Sequence, residues 1–236
     1  MGEKIMRASG RTKLNNRGSA IVTVIVVIAF MAILATTVLY LSSVNYRMKR
    51  EDLKTKQGFY EAETALEELR GALMVESSRA CDAAYKRVAS NYASTDAYTR
   101  YATFQDVYFQ TLEGNWRKKL LNAADPANPY TYEQVLQHLV SNKYASSVHV
   151  NASVADAGEL DLSHSADGYA ILPGVKLVYT DDQGYVTIIE TDFLLTVPKF
   201  NFGSDASLTT ENGDVSKDRT DISMAEYVQY YNWVKK

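Results

Sequence analysis

No Asp, Glu, Lys, Arg or His occurs between Arg17 and Arg47, although charged residues make up 22% of the 236-residue chain. Cysteine is nearly absent as well. Cys81 stands alone, which excludes an internal disulfide and any multi-cysteine metal site, and in a helical stretch it reads as a packing residue. There is no phosphate-cradling glycine loop, no His-Glu-x-x-His helix and no Gly-x-Ser-x-Gly elbow. The three histidines, His138, His149 and His164, are scattered without acids at ligand spacing. Enzymatic function therefore has no positive support, and the chain is read as non-enzymatic. The 46% apolar content excludes disorder and collagen and suffices for one sizeable core or two small ones.

The charge is distributed unevenly. Before Ser19, Lys4, Arg7, Arg11, Lys13 and Arg17 face only Glu3, and Arg47, Lys49, Arg50, Lys54 and Lys56 form a second basic block around Glu51 and Asp52. With an overall formal charge of −3, the body from Gln57 onward is strongly acidic, so it repels phosphate backbones and excludes nucleic acid as a partner. Between the basic blocks, Ala20 to Leu41 is almost wholly apolar, and as a helix it measures about 33 Å, the thickness of a bilayer's hydrocarbon layer. A cleaved secretory signal has a shorter apolar region ending in a small-residue site, whereas this run passes directly into Tyr46-Arg47-Met48-Lys49. The expectation is a single-pass membrane helix over residues 20–41, its basic leader in the cytoplasm and its body outside; the charge at both ends favours that orientation only modestly.

The leader meets the apolar run without a spacer, through Asn15-Asn16-Arg17-Gly18-Ser19. Downstream comes Gln57-Gly58-Phe59-Tyr60-Glu61-Ala62-Glu63-Thr64-Ala65-Leu66-Glu67. Together, over the first 75 or so residues, these segments resemble the leader junction and post-membrane helix of type IV pilin-like proteins, in particular PilX-type minor pilins. The resemblance implies that a prepilin peptidase cuts between Gly18 and Ser19. It implies residence in the cytoplasmic (inner) membrane and then at the cell surface, and partners among other pilins, minor pilins and a pilus assembly platform. Two positions depart from the pattern. The family's usual first mature residue is Phe, here Ser19, and its fifth is a glutamate that pairs with a neighbouring subunit's amino terminus, here Thr23. A buried carboxylate is costly in lipid unless paired, and its loss in such families is associated with minor subunits, including those at the tip.

Phe59, Ala62, Leu66, Leu69 and Leu73 recur at spacings of three and four and share one helical face, with Glu61, Glu67, Glu68 and Arg70 on the remainder. The membrane run is thus expected to continue as an amphipathic helix, the pilin-like region covering 19–89, whose apolar stripe docks the head and whose first half exchanges lipid for sister helices on assembly. Glu63 lies near the stripe, either paired with a basic group or as a boundary residue with a solvated carboxylate.

Residues 90–145 read as a helical, tyrosine-rich region. Phe104, Val107, Tyr108 and Leu112 suggest one helix, broken at Asp125-Pro126-Ala127-Asn128-Pro129, and Thr131 with Gln134 has the spacing of a capping box that opens a second. Its tyrosines fit an adhesive surface or core filling equally. From 146 to 236 the period changes to two: Val148 to Val154, then Tyr169 to Thr180 and Tyr185 to Val197 joined by an Asp181-Asp182-Gln183-Gly184 turn, with Pro198 as a stop. Met224 to Val234 suits a short helix or a strand. The fold class expected is α+β, a long N-terminal helix packed on an antiparallel sheet of about four strands. The acidic stretch 203–221, with Asp205, Glu211, Asn212, Asp214, Asp218 and Asp221, offers the oxygens calcium takes; Asp214, Asp218 and Asp221 are the calcium candidates, but the spacing follows no calcium loop, and a solvated loop without cofactor is the other reading.

The sequence thus supports a minor pilin or pseudopilin acting in assembly, priming or at the tip of a type IV pilus or secretion-type filament. A single-pass receptor with an extracytoplasmic binding module is the alternative, and a membrane-tethered enzyme comes third.

Overall fold

A computed structural model describes residues 16–122, 124–140, 148–152, 160–198 and 223–235. Three helices come first: α1 (Asn16–Ser90), α2 (Ala97–Leu120) and α3 (Tyr132–Leu139). Four strands follow: β1 (Val148–Ala152), β2 (Tyr169–Thr180), β3 (Val186–Thr196) and β4 (Val228–Lys235). They form one antiparallel sheet in the order β1-β2-β3-β4, and the class is α+β as expected. The chain divides into two compact units, Met1–Leu53 and Lys54–Lys236.

Helix α1 begins at Asn16, ahead of the expected apolar start, and continues to Ser90. Nothing between these residues stops it: there is no proline, and the next glycines, Gly58 and Gly71, are tolerated inside a long helix at about 1 kcal/mol each. Asp96 opens α2 by accepting a 2.7 Å hydrogen bond from the Thr99 amide. At α3 the capping box is formed in full: the Gln134 amide donates to the Thr131 hydroxyl, and the Thr131 amide donates to Gln134 Oε1.

The period-two pattern becomes alternating burial along β2 and β3, with one layer of side chains directed to the core. Pro173 and Gly174 interrupt β2 between Leu172 and Val175, where the register shifts and Gly174 takes φ +69°. The Gly174 amide donates 2.7 Å to Asp192, at the second register shift, between β3 and β4. In the β2–β3 turn, Gly184 has φ +85° and the Asp181 carboxylate accepts from the amides of Gln183 and Tyr185, both at 2.8 Å. Desolvation works against the ionised form there, yet the hydrogen bonds from Tyr185, Lys54 and Gln183 hold the carboxyl below the ordinary aspartate range. Pro198 follows β3 two residues after its end. The segment from Met224, open to helix or strand by sequence, is both: a 3-10 turn at Met224–Glu226, then β4.

The core of the second unit is one cluster drawn from α1, α2, α3 and the sheet. Phe104, Tyr108 and Leu112 of α2 enter it, as do Val135 and Leu136 of α3. Tyr108 and Tyr132 are core-filling tyrosines, whereas Tyr98 is 84% exposed and available to solvent or a partner. Tyr144 and the acidic stretch 203–221, with calcium candidates Asp214, Asp218 and Asp221, lie outside the described residues. Sheet edge β1 is closed by a side chain: Gln137 of α3 accepts from the Val150 amide at 2.8 Å and reaches the Val148 carbonyl at 3.4 Å, in the manner of a neighbouring strand.

Tyrosine burial sets the response to alkali. Burial pushes the Tyr108 hydroxyl far above its ordinary range, against the pull of its hydrogen bond with Ser77. Tyr132 is raised by burial and then by Asp192, and Tyr230 by burial and then by Glu67. The folded chain therefore holds these protons more tightly than the unfolded chain, so stability is complete below the ordinary tyrosine pKa of about 10 and is lost as pH rises above it. Urea midpoints measured at fixed pH should be level from neutrality to about pH 9.5 and fall steeply beyond about pH 10, together with tyrosinate absorbance. Tyrosinate absorbance appearing at an unchanged midpoint is the contrary result.

Candidate functional site

The sequence singles out α1, and its two stretches have opposite surroundings. In the first unit, the residues from Ser19 form a helix long and apolar enough to cross a membrane, with none of its most apolar window buried. Exposure runs from 45% at Leu34 to 70% at Leu39 and Tyr40, and residues on every side of the helix share it, including Ile21, Val22, Val24, Val26 and Val27. An apolar surface of this extent marks contact with lipid or with other apolar helices. Its three threonine hydroxyls bond within the helix: Thr23 donates to the Ser19 carbonyl at 2.9 Å, and Thr36 and Thr37 donate to Ile33. Thr23 thus needs no external partner, unlike a carboxylate in its place. Gly18 lies within α1 and Ser19 is exposed on it.

In the second unit, Ala62, Leu66, Leu69 and Leu73 are all at most 2% exposed and belong to the core cluster, as their spacing predicts. Burying each leucine contributes about 1.5–3 kcal/mol. The stripe is longer than the apolar residues alone indicate, extending through Ala65, Ser77, Ala80, Cys81, Ala84 and Val88. Small side chains let the helix lie close to its neighbours but add little to an amphipathic signal, which is why periodicity understated this half. Cys81 is buried at 1% exposure, in the packing role its isolation suggested.

Gly58 is the tightest point. A Cβ there would lie 2.8 Å from both Thr187 Oγ1 of β3 and Tyr179 Cδ1 of β2, below ordinary van der Waals contact. Both neighbours are themselves buried, so neither side chain swings away freely. The glycine lets the helix backbone approach the sheet, a role its place in the motif gave no sign of. Phe59, next to it, is half-buried and sits in an aromatic group: Tyr60 at 5.9 Å, Trp233 of β4 at 6.3 Å, and the Lys235 ammonium 4.4 Å from its ring centre. Tyr60 and Trp233 remain 62% and 45% exposed.

Glu63 does not join this packing. It is exposed and makes no ion pair among the described residues, because its position falls outside the docked stripe. Two polar residues on the remainder of the helix, Arg70 and Glu67, have structural roles that the sequence pattern did not assign. Arg70 donates from Nε to the Val228 carbonyl at 2.9 Å and from Nη2 to the Ala225 carbonyl at 2.8 Å, its guanidinium 5.2 Å from the centre of the Tyr230 ring. Glu67 accepts from the Tyr230 hydroxyl at 2.6 Å and pairs with Arg70. These contacts fasten the C-terminal strand to α1. Lys54 does the same for the β2–β3 turn through a 3.1 Å ion pair with Asp181. Farther along, buried Glu76 holds Arg79 at 2.8 Å and Lys119 of α2 at 3.2 Å, and Ser77 and Tyr108 share a 2.6 Å hydrogen bond. Partners separated by more than a hundred residues leave no periodic trace.

Among the described residues, no three His, Cys, Asp or Glu side chains are placed to hold a metal. His138 packs edge-on against Tyr130, and His164 stacks on Tyr169 beside Asp167.

Two substitutions test this docking surface. Gly58→Ala ordinarily stabilises a helix by about 1 kcal/mol, but here overpacking should reverse the sign and destabilise by about 1–3 kcal/mol, read as a lower thermal midpoint of the detergent-solubilised chain. Arg70→Lys removes the two-pronged bond to the carbonyls. Amide exchange in β4 should then accelerate at least about tenfold while β2 and β3 are little changed. Comparison with family models, with curated proteins and with solved structures finds no match to this chain.

Proposed function

We propose that this chain is a PilX-type minor pilin or pseudopilin, a structural subunit that acts in assembly, priming or at the tip of a type IV pilus or secretion-type filament. It is inserted in the cytoplasmic membrane by the first part of α1, with residues 54–236 extracytoplasmic, cut after Gly18 by a prepilin peptidase, and passed by the assembly platform to other pilins. The observation that carries the reading is α1 itself. A helix apolar and uncovered on all sides continues without a break into a stripe that forms the core of an α+β head. Such a helix is equally at home among lipid tails and among like helices, so moving from one to the other has a small net cost.

Thr23 supports a minor rather than a bulk role. With its hydroxyl closed on the Ser19 carbonyl, it offers no charge to a neighbouring subunit's amino terminus. The exposed aromatic group of Tyr60 and Trp233 beside Phe59 is a ready contact surface for neighbouring subunits.

Intact-mass measurement of the protein purified from cells with an active prepilin peptidase tests the reading. The expected chain begins at Ser19, and Gly18→Ala should leave an uncut, membrane-inserted and unassembled protein. A wild-type chain that still carries its leader, with normal pilus number after deletion of the gene, would instead identify a single-pass receptor.

A further inference from the structure

We infer that Arg47, Lys49 and Arg50 form a cationic cluster that binds anionic lipid headgroups in the leaflet opposite the Gly18 end of the helix; this rests on the membrane-anchor reading of α1. The three residues fall within four consecutive positions, all exposed, and make no ion pair among the described residues. The later lysines of the same block are committed elsewhere: Lys54 is paired with Asp181, and Lys56 has an interaction of its own, as do the acids Glu51 and Asp52.

Each residue turns about 100°, so Arg47 and Arg50 lie about 60° apart and Lys49 about 100° beyond Arg50, the three together spanning about 160° of the helix circumference. A layer that surrounds the helix meets all three, and the headgroup layer of a bilayer is such a surrounding.

Spacing indicates the level. Arg17 and Arg47 are thirty residues apart on one helix, or about 45 Å, and a bilayer including its polar layers is about 40–45 Å thick. With one position at the inner phosphate layer, the other reaches the outer one. The uncharged stretch Ser42-Ser43-Val44-Asn45 fills the interfacial depth between Leu41 and the cationic cluster. Tyr40 and Tyr46, 70% and 69% exposed, sit where interfacial aromatics anchor a span. Three cations within about 5 Å of helix favour lipids with net negative charge over zwitterionic ones, whose phosphate is already balanced.

The test reconstitutes the full chain, wild type and R47Q/K49Q/R50Q, into phosphatidylcholine vesicles containing 30% phosphatidylglycerol. Spin-labelled phosphatidylglycerol and phosphatidylcholine report the relative association constant of lipid at the protein surface. The wild type should prefer phosphatidylglycerol by at least about twofold, the triple variant should fall to parity, and R47K/R50K should retain the preference. Equal preference in wild type and triple variant, or none in the wild type, overturns the inference while leaving membrane anchoring intact. Failure to insert at all, read as complete extraction by carbonate, overturns the anchor reading and the cluster's lipid role with it. Loss of the preference on adding inorganic phosphate, but not sodium chloride of equal ionic strength, identifies a free-phosphate site and overturns the lipid assignment.

Discussion

The close approach of α1 to its sheet is the constraint from which the rest of the head follows. Gly58 meets Thr187 and Tyr179 with no room for a Cβ, and Ala62, Ala65 and Leu69 farther along the helix are fully buried in the same core cluster as the sheet. An interior packed at crystal-like density does not tolerate a gap at such a seam. The sheet must therefore present one continuous apolar layer, as β2 and β3 do through Ala170, Leu172, Val175, Leu177, Ile189, Phe193 and Leu195. The polar contacts lie along the same helix: Lys54 with the β2–β3 turn, Glu67 and Arg70 with β4, and Glu76 and Ser77 with α2. One helix is thus the common partner of elements drawn from the whole chain.

That helix serves two solvents. From Ser19 to Leu41 its surface is almost wholly apolar on every side and uncovered; from Gly58 onward a stripe of small and branched residues is covered by protein while acids and bases occupy the other faces. The hydrophobic effect acts on both parts but is satisfied inside the chain for only one of them. The other requires lipid or further helices, and this outstanding requirement is the physical content of the proposed minor-pilin role. Thr23 suits it, since a hydroxyl bonded to its own helix is neutral in either environment.

Elements with strong local signals were legible in advance. β2 has the bounds that alternation predicts, Tyr169 to Thr180, and the capping box at Thr131 opens α3 as its spacing requires. The stripe through Ala62, Leu66, Leu69 and Leu73 was legible for the same reason, whereas its extension through Ala80, Ala84 and Val88 was muted by small side chains. Met224 to Val234 was ambiguous because a short run does not separate helix from strand; pairing with β3 and the grip of Arg70 decide for β4. Gln137 on the edge of β1 and the solvated Glu63 belong with these cases, being settled by neighbours distant in sequence.

Sequence alone determined the uncharged interval between Arg17 and Arg47, the continuation of its helix as an amphipathic stripe, and the α+β class, because periodicity and hydropathy are properties of consecutive residues. Only the tertiary structure decided that Gly58 is a point of contact rather than a weak point in a helix, and that Arg70 and Glu67 are fasteners rather than a solvated face. It likewise decided which tyrosines are core. These outcomes depend on distances between residues far apart in the chain, and no local pattern encodes such a distance.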